Sequence, residues 1–248
     1  MYKMKSRILS LLTALLTVAC CRNQGCGCQT ECTCGCGQTC CCQAQCGCQK
    51  QCGCGACAGS KACALSDSAV VVNTIMARRS IRQYQPEAVR RDQMDVILQC
   101  GINAPSAMNK QPWALRVADN PDFLNACTAA WKETLPEDRR ASVEADSTFR
   151  NMFRNAPTVV FIGAPENWGD LDCGLLGENM MLAAQSMGIG SCCLGGLIGF
   201  MNSDAAADYR KRIDFPEGYR LVYAIAFGYP DEAPEAKPRD ASVIRYIE

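Results

Sequence analysis

The feature that most constrains the fold is the uneven distribution of cysteine along the chain. Of its 21 cysteines, 16 lie between Cys20 and Cys63. The other residues between Arg22 and Lys61 are mostly Gly and Gln, with no aromatic residue and almost no large aliphatic one. A segment of this composition cannot bury an apolar core. We therefore expect the ordered domain to form from residues 66–248.

The cysteines of residues 20–65 recur mainly as Cys-x-Cys pairs, a pattern that resembles metallothioneins. Two thiolates at this spacing can chelate one soft ion such as Zn(II) or Cu(I). Two alternatives stay open, a spacer oxidised to mixed disulfides after export and a redox relay. The spacing differs from the Cys-x-x-Cys runs of ferredoxin-type iron–sulfur sites. The candidate metal ligands are Cys26, Cys28, Cys32, Cys34, Cys36, Cys40, Cys42, Cys46, Cys48, Cys52 and Cys54.

Residues 1–19 have the pattern of a secretory signal peptide. Three cations precede an apolar run that is too short to span a bilayer comfortably. The run ends at Val18-Ala19-Cys20, which resembles the lipobox of bacterial lipoproteins and predicts lipidation of Cys20. We therefore expect a lipid-anchored protein of the cell envelope. Ordinary signal cleavage, a retained N-terminal anchor and a cytoplasmic protein whose leader is not an export signal are the alternatives.

Charge and composition exclude several function classes. The formal net charge is zero, and removal of Lys3, Lys5 and Arg7 with the leader leaves 0 − 3 = −3. This gives no electrostatic reason to expect a nucleic-acid partner. The chain has no histidine. Acid–base catalysis by histidine, Ser-His and Cys-His nucleophile pairs, and histidine-liganded metal are therefore excluded.

Residues 66–248 combine helical and strand patterns without regular βαβ alternation. The run 157–162 is apolar without alternation and rich in β-branched residues, which is typical of a buried strand. Further strands are predicted over 113–118, 220–227 and 243–247, and helices over 69–79, 89–103, 122–131, 137–153, 171–187 and 204–213. In the helix over 171–187, the residues at helical spacing are Leu175, Asn179, Leu182 and Met187. Helices around four or five strands predict an α+β or mixed three-layer fold. No Gly-x-Gly-x-x-Gly follows a strand, so no dinucleotide domain is expected.

Two polar clusters lie near the start of this domain. Arg78-Arg79-Ser80-Ile81-Arg82 gathers three guanidinium groups around a hydroxyl, and guanidinium presents a planar fork to phosphate oxygens. The second cluster, residues 104–113, holds amide and hydroxyl groups between two prolines. Such groups suit the donors and acceptors on the rim of a heteroaromatic ring. Together the clusters predict the two ends of a flavin mononucleotide site.

In this order and spacing the clusters resemble the nitroreductase family of FMN-dependent oxidoreductases. Residues 188–196 (Gly-Ile-Gly-Ser-Cys-Cys-Leu-Gly-Gly) resemble the family's second flavin-facing turn. Lys237-Pro238-Arg239, after Gly228-Tyr229-Pro230, resembles its C-terminal phosphate clamp. The resemblance runs from about Thr74 to Ile247. It implies an α+β domain with a mixed, largely antiparallel sheet flanked by helices in three layers, α/β/α, and a homodimer.

The resemblance also implies roles for individual residues. The arginine cluster, Lys237 and Arg239 would hold the phosphate, ribityl chain and pyrimidine edge of FMN, and the loop would reach the flavin of the partner subunit. The turn would direct a backbone N–H at the ring. No catalytic side chain is predicted, because the flavin carries the redox chemistry. The cofactor-binding residues so assigned are Arg78, Arg79, Ser80, Arg82, Pro105, Ser106, Ala107, Asn109, Gln111, Cys193, Leu194, Gly195, Gly196, Lys237 and Arg239.

Three further expectations concern single residues of the site. The family has an acid beside the turn where this chain has Gly195, so any role of that side chain is lost. A further polar flavin contact is expected from Asn151 or Thr148. Cys192 and Cys193 are expected to be buried free thiols, because adjacent cysteines rarely form a relaxed disulfide.

The implied activity is ping-pong transfer of reducing equivalents from NAD(P)H to a nitroaromatic, quinone or similar acceptor. An export signal conflicts with this activity, because NAD(P)H is scarce outside the cytoplasm. Three resolutions stay open: a different electron donor, other FMN chemistry such as reductive dehalogenation, and a leader that does not direct export. The alternative from another class is an exported, metal-sequestering lipoprotein with a flavin-binding scaffold.

Overall fold

A four-stranded sheet lies at the centre of the domain. In the computed structural model, which describes residues 67–247, the strands are β1 (Ala114–Ala118), β2 (Thr158–Pro165), β3 (Gly190–Leu194) and β4 (Tyr219–Gly228). Their order is β1-β2-β4-β3 and each pairing is antiparallel. The central strand β2 is buried along almost its whole length, as its continuous apolar run predicts.

Seven α-helices surround this sheet in the described part of the chain. Their bounds are α1 (Asp67–Ala77), α2 (Arg91–Ile102), α3 (Pro121–Glu133), α4 (Glu137–Ala145), α5 (Asp170–Ser186), α6 (Ile198–Met201) and α7 (Ala207–Ile213). Short 3₁₀ turns lie at Ala107–Asn109, Asp204–Ala206 and Ala241–Val243. The start of α3 shows why the local sequence forms a helix. Asn120 accepts hydrogen bonds from the N–H groups of Asp122 and Phe123, and Pro121 occupies the first helical position.

The sheet separates two apolar clusters. Successive side chains of a strand point to opposite faces, so Val159 and Phe161 of β2 face one cluster while Val160 and Ile162 face the other. The first cluster also contains residues of α3, α6 and α7, and the second contains residues of α2 and α5. The predicted α+β fold with helices on both faces of a largely antiparallel sheet is confirmed.

Two predicted elements are wrong, each because a polar side chain makes a local hydrogen bond. The helix predicted over 137–153 ends at Ala145, where the Asp146 carboxylate accepts from the backbone N–H and the hydroxyl of Thr148. The strand predicted over 243–247 is absent from the described residues. Asp240 instead caps the 3₁₀ turn by accepting from the N–H of Ser242.

The buried face of α5 does not contain the four residues whose helical spacing is visible in the sequence. Cys173, Leu176 and Met180 pack into the second cluster, whereas Leu175 is 41% exposed. The apolar spacing that includes Leu175 therefore does not mark the sheet-facing side of this helix. Its side chain lies on a surface that the domain itself does not cover.

The predictions for the N-terminal part of the chain are not tested by the described residues. The proposed signal peptide (residues 1–19), the lipidation site Cys20 and the cysteine-rich segment (residues 20–65) lie outside the range 67–247. Within that range, none of the helices has the length and apolar character needed to cross a bilayer. The same residues contain no group of three or more Cys, Asp or Glu side chains placed to hold a metal ion. From Val70 onward the chain forms one compact unit.

A double-mutant cycle tests the contact of α5 with β4. A β-carbon at Gly177 would collide with the Tyr223 hydroxyl, which donates to the carbonyl oxygen of Cys173 at 2.6 Å. We expect Gly177→Ala to lower the free energy of unfolding by about 2 kcal/mol. Tyr223→Phe alone should lower it by about 1 kcal/mol through loss of that bond. Urea denaturation of the double variant should show less than the sum of these losses, and strict additivity would contradict the contact.

Candidate functional site

The first arginine cluster follows the end of α1 and runs beside the edge strand β3. Ser80 forms a parallel bridge with Ser191, and the N–H of Ile81 donates to the carbonyl oxygen of Ser191 at 2.9 Å. Ile81 is buried, and it packs so close to Gly190 that a β-carbon there would lie 2.9 Å from its side chain. The backbone of this cluster is therefore fixed against the sheet.

The three guanidinium groups of the cluster have different partners. Arg78 Nε lies 3.8 Å from Glu178 Oε1 on α5, so the terminal nitrogens of its fork lie outside this ion pair. Arg82 Nη1 donates to the carbonyl oxygen of Ser80 at 3.2 Å. Arg79 Nη1 donates to two backbone oxygens at the end of α1, each at 2.8 Å. Arg79 thus stabilises its own helix end, while none of the hydrogen bonds in the described residues uses a terminal nitrogen of Arg78.

Arg79 lines a cleft of about 390 Å³ together with Gln185, Gly188 and Glu232. Neither Arg78 nor Arg82 lines this cleft. Side chains of neighbouring residues in an extended segment point to opposite sides. The structure therefore separates Arg79 from Arg78 and Arg82, which the sequence prediction places in one group.

The second cluster forms an exposed loop between α2 and β1 with unusual backbone angles. Met108, Asn109 and Gln111 have φ values of 52°, 52° and 49°. Positive φ is uncommon in residues other than glycine and is strained, although Asn tolerates it better than most. The Ser106 hydroxyl accepts from the N–H of Gln111 at 2.9 Å. The Gln111 amide donates to Asn109 Oδ1 at 3.3 Å. These side chains thus brace the loop that carries them.

Helix α5 anchors both clusters. The N–H of Ala107 in the loop donates to Asp172 Oδ1 at 3.2 Å, and Arg78 pairs with Glu178. The two acids are six residues apart, which is a rise of about 9 Å along a helix. In residues 67–247 no hydrogen bond or ion pair joins the loop directly to Arg78 or Arg82. Within one protomer, the two clusters are related through α5.

The predicted flavin-facing turn contains a strand that the sequence prediction missed. Gly188 has a φ of 72° and ends the turn after α5, and the chain then enters β3. After β3, Gly195 and Gly196 are exposed, and a β-carbon on either would meet no atom within 4 Å. Neither has a positive φ. The domain itself gives no packing or backbone reason for glycine here, so the surface above these residues is open to a ligand.

The adjacent thiols of β3 point to opposite faces of the sheet. Both are free, as predicted, but only Cys192 is buried, and the prediction that Cys193 is also buried is wrong. The alternation of side chains along a strand explains the difference. Desolvation raises the pKa of both thiols, while the nearby Arg78 guanidinium acts to lower it. Cys193 is therefore the accessible thiol of the two, and the charge of Arg78 acts on its pKa.

The C-terminal arm, residues 229–247, contacts the first arginine cluster through Glu232. This residue precedes the two basic residues of the arm. The N–H of Gln85 donates to the carbonyl oxygen of Tyr229, and the Glu232 carboxylate accepts from the N–H of Arg82 at 2.5 Å. Lys237 and Arg239 follow five and seven residues after Glu232, both exposed. Arg239 Nη1 donates to the carbonyl oxygen of Lys237 at 2.9 Å. The structure brings the arm to the cluster at Glu232, and no described hydrogen bond or ion pair joins Lys237 or Arg239 to the cluster.

The two candidates for a further polar contact are both engaged by their own turn. Asn151 is buried, and its amide donates to the carbonyl oxygen of Ala156 at 3.1 Å and accepts from the N–H of Phe153 at 3.0 Å. The Thr148 hydroxyl donates to Asp146 at 2.7 Å. These bonds satisfy the polar atoms of Asn151 within the protein.

Three acids near the site were missed by sequence reasoning. They are Asp172, which holds the loop, Glu178, which pairs with Arg78, and Glu232, which holds the backbone of Arg82. The partners of Asp172 and Glu178 are 65 and 100 residues away, and those of Glu232 are 150 residues away. Single acids at such separations carry no local sequence signal.

Comparisons with known proteins agree with this fold. The model of the Nitroreductase family matches residues 75–229. The NADPH-flavin oxidoreductase of Vibrio harveyi is 29% identical over 181 residues, which are 68% of this chain and 69% of that protein. Crystal structures of nitroreductases with bound FMN from Bacteroides fragilis and Desulfitobacterium hafniense have TM-scores of 0.64 and 0.63, with 27% and 26% identity. Each comparison covers 72% of this chain and 98% of the solved one.

The family match covers more than half of the chain, from the end of α1 to the end of β4. It includes the first arginine cluster, the strained loop and the glycine turn. This chain belongs to the nitroreductase family.

Thiol labelling tests the placement of the cysteines of the domain. Cys127 and Cys173 are buried, and burial raises the pKa of each to about 12, so both remain protonated at pH 8. We expect iodoacetamide at pH 8 to label Cys193 at least about tenfold faster than Cys127, because Cys193 is exposed whereas Cys127 is buried and its pKa is raised further by that burial. Peptide mass spectrometry of the native protein measures both rates. Equal labelling of the two residues would contradict the strand assignment.

Proposed function

We propose that this chain is an FMN-dependent oxidoreductase that takes reducing equivalents from NAD(P)H and passes them to a nitroaromatic, quinone or similar small acceptor. The observation that carries the proposal is the similarity to nitroreductases whose crystal structures contain bound FMN. Bound FMN supplies the redox chemistry of such an enzyme. The side chains of the protein then serve to bind, orient and polarise.

The residues of the site fit FMN by their chemistry. The free fork of Arg78 and the hydroxyl of Ser80 suit a phosphate, since guanidinium makes two parallel hydrogen bonds to its oxygens. The open surface above Gly195 and Gly196 gives a flat ring access to backbone N–H groups. Arg82 at the pyrimidine edge would stabilise negative charge on the reduced cofactor. We propose that Lys237 and Arg239 of the C-terminal arm complete the phosphate site.

The donor and the acceptor use one slot in turn, which gives ping-pong kinetics. The support is that no dinucleotide-binding sequence lies in the chain, so a nicotinamide has no site of its own. Reductive dehalogenation is the alternative chemistry for the same slot. If the N-terminal leader directs export, an electron donor of the cell envelope replaces NAD(P)H.

We also propose that the enzyme is a homodimer, with the exposed face of α5 in the interface. Leu171 and Leu175 on this face are 78% and 41% exposed, and Gly174 lies between them with no atom within 4 Å of an added β-carbon. Glycine inside a helix costs about 1 kcal/mol relative to alanine. A closely approaching second helix accounts for that choice. The loop at residues 105–111 contacts the first turn of the same helix through Asp172, which suits its proposed reach to the partner's flavin.

Charge insertion tests the interface. Leu175→Glu places a carboxylate on the face that would be buried, so we expect the variant to be monomeric in sedimentation at micromolar concentration. Leu175→Met keeps the apolar surface and should remain dimeric like the wild type. Because the proposed site spans two protomers, the monomeric variant should also bind FMN at least about tenfold more weakly. A dimeric Leu175→Glu protein would place the interface elsewhere.

For the N-terminal part, we propose a lipid anchor on Cys20 followed by a thiolate segment that binds a soft metal ion. The support is the order of the sequence, in which a cationic and apolar leader precedes the Cys-x-Cys pairs. The second candidate function, metal sequestration at the cell envelope, rests on this segment alone. It predicts metal binding that is independent of flavin.

Removal of one guanidinium discriminates between the two functions. In the full chain purified without oxygen, we expect Arg78→Ala to weaken FMN binding by about 10- to 100-fold, the loss of one or two charge-assisted hydrogen bonds. Arg91→Ala is the matched control, because this exposed arginine pairs with Asp119 and belongs to neither cluster. Flavin fluorescence measures the affinity, and elemental analysis measures Zn and Cu per chain. Metal content should be equal in all three proteins, and unchanged FMN affinity in Arg78→Ala would reject the proposed site.

A further inference from the structure

The loop at residues 105–111 holds a conformation that its own sequence does not favour. Three of its residues other than glycine have positive φ, a backbone conformation that is strained for such residues. Such angles persist only where surrounding contacts fix them. The contacts within the loop, between Ser106, Asn109 and Gln111, are exposed to solvent. Because these bonds are open to competition from water, contacts from outside the loop add to the restraint.

These outside contacts come from residues 168–172 at the start of α5. The N–H of Ala107 donates to Asp172 Oδ1 at 3.2 Å. Lys110 Nζ lies 5.5 Å from the centre of the Trp168 ring. A β-carbon on Gly169 would lie 3.2 Å from Pro112 Cγ, so the loop end packs directly on the backbone there.

Asp172 is the buried member of these contacts. It is 7% exposed and lies in the first turn of α5, where a carboxylate is favoured by the helix dipole. Its neighbour Asp170 lies in the same turn but pairs with Arg220 at 2.5 Å and is exposed. The two acids are therefore alike in helix position and different in the contact they make. Of these two acids, only Asp172 makes a hydrogen bond with the loop.

We propose that Asp172 is a positioning residue that holds the loop in the shape required to lie over the partner's flavin. This inference rests on the proposed function, because the target of the loop is the flavin site of a second copy. The hydrogen bond from Ala107 keeps the strained backbone ordered before the cofactor arrives, so binding requires less ordering of the loop. Asp172 itself does not touch the cofactor.

Limited proteolysis of the full chain tests the anchor without any flavin. Trypsin cleavage after the exposed Lys110 requires the loop to open, and mass spectrometry measures this one cut among the others. We expect Asp172→Ala to be cut there about tenfold faster than the wild type, the loss of a hydrogen bond to a charged group. Asp172→Asn retains an acceptor oxygen and should stay within about threefold. Asp170→Ala should match the wild type, and equal cleavage of both alanine variants would overturn the proposal.

FMN binding tests the positioning role. Asp172→Ala should raise the Kd for FMN about tenfold, with rescue in Asp172→Asn, while Asp170→Ala binds normally. At saturating FMN, the visible circular dichroism of the bound flavin should change only in Asp172→Ala. Wild-type affinity and spectrum in Asp172→Ala would overturn the inference. Failure of the wild type to bind FMN would instead overturn the proposed function, and the cleavage rates would still decide whether Asp172 holds the loop.

A change on the loop side provides a second route if Asp172→Ala does not fold. Ala107→Pro removes the donating N–H, and the extended backbone of Ser106 (φ −140°, ψ 155°) accommodates a following proline. We expect the same loss of FMN affinity as in Asp172→Ala. The two changes combined should be no worse than either alone, because they break one bond. Additive losses would overturn the proposal.

Discussion

Burial of β2 on both of its faces is the constraint on which the rest of the structure depends. A strand with apolar side chains on both sides requires a helical layer against each face. Val160 and Ile162 define the face that receives α2 and α5, and Phe161 defines the face that receives α3. Its ring meets Phe123 and Phe153 edge-on, at centroid distances of 6.2 Å and 5.8 Å. The positions of α5 and of the two strands beside it follow from this layering.

Helix α5 connects the packed layers to the candidate site, because it contacts both polar clusters. Its buried side fixes it against the sheet through Leu176 and Met180. The remaining sides then present Asp172 to the loop, Glu178 to Arg78, and Leu175 to solvent. One helix thus contacts Arg78 and the loop and carries the proposed dimer surface.

The sequence predicts the elements that bury the most apolar surface and the local polar motifs. The runs that form β2 and β4 are recognisable because burial on both faces requires continuous apolar residues. Strand β3 is not recognisable, because its five residues, Gly190–Leu194, lie in a glycine-rich stretch typical of a turn. The first arginine cluster and the loop are likewise recognisable, because their residue types are typical of phosphate and ring-edge contacts.

What the sequence does not show is contact across long separations. The pairing of Arg78 with Glu178 depends on the packing of α5, which local patterns do not encode. The helical spacing that includes Leu175 likewise does not identify the buried face of α5. Periodicity identifies an apolar side of a helix but not what covers it, and an exposed apolar face has the same pattern as a buried one.

The common attachment of the loop and Arg78 to α5 has a mechanical consequence. Asp172 and Glu178 lie on one rigid helix, so a tilt of α5 moves the contact with the loop and the contact with Arg78 together. In a symmetric pair, one attachment would serve a protomer's own pocket and the other its neighbour's. Occupancy of either pocket would then damp the motion of the other through a single stiff element, without any change in shape.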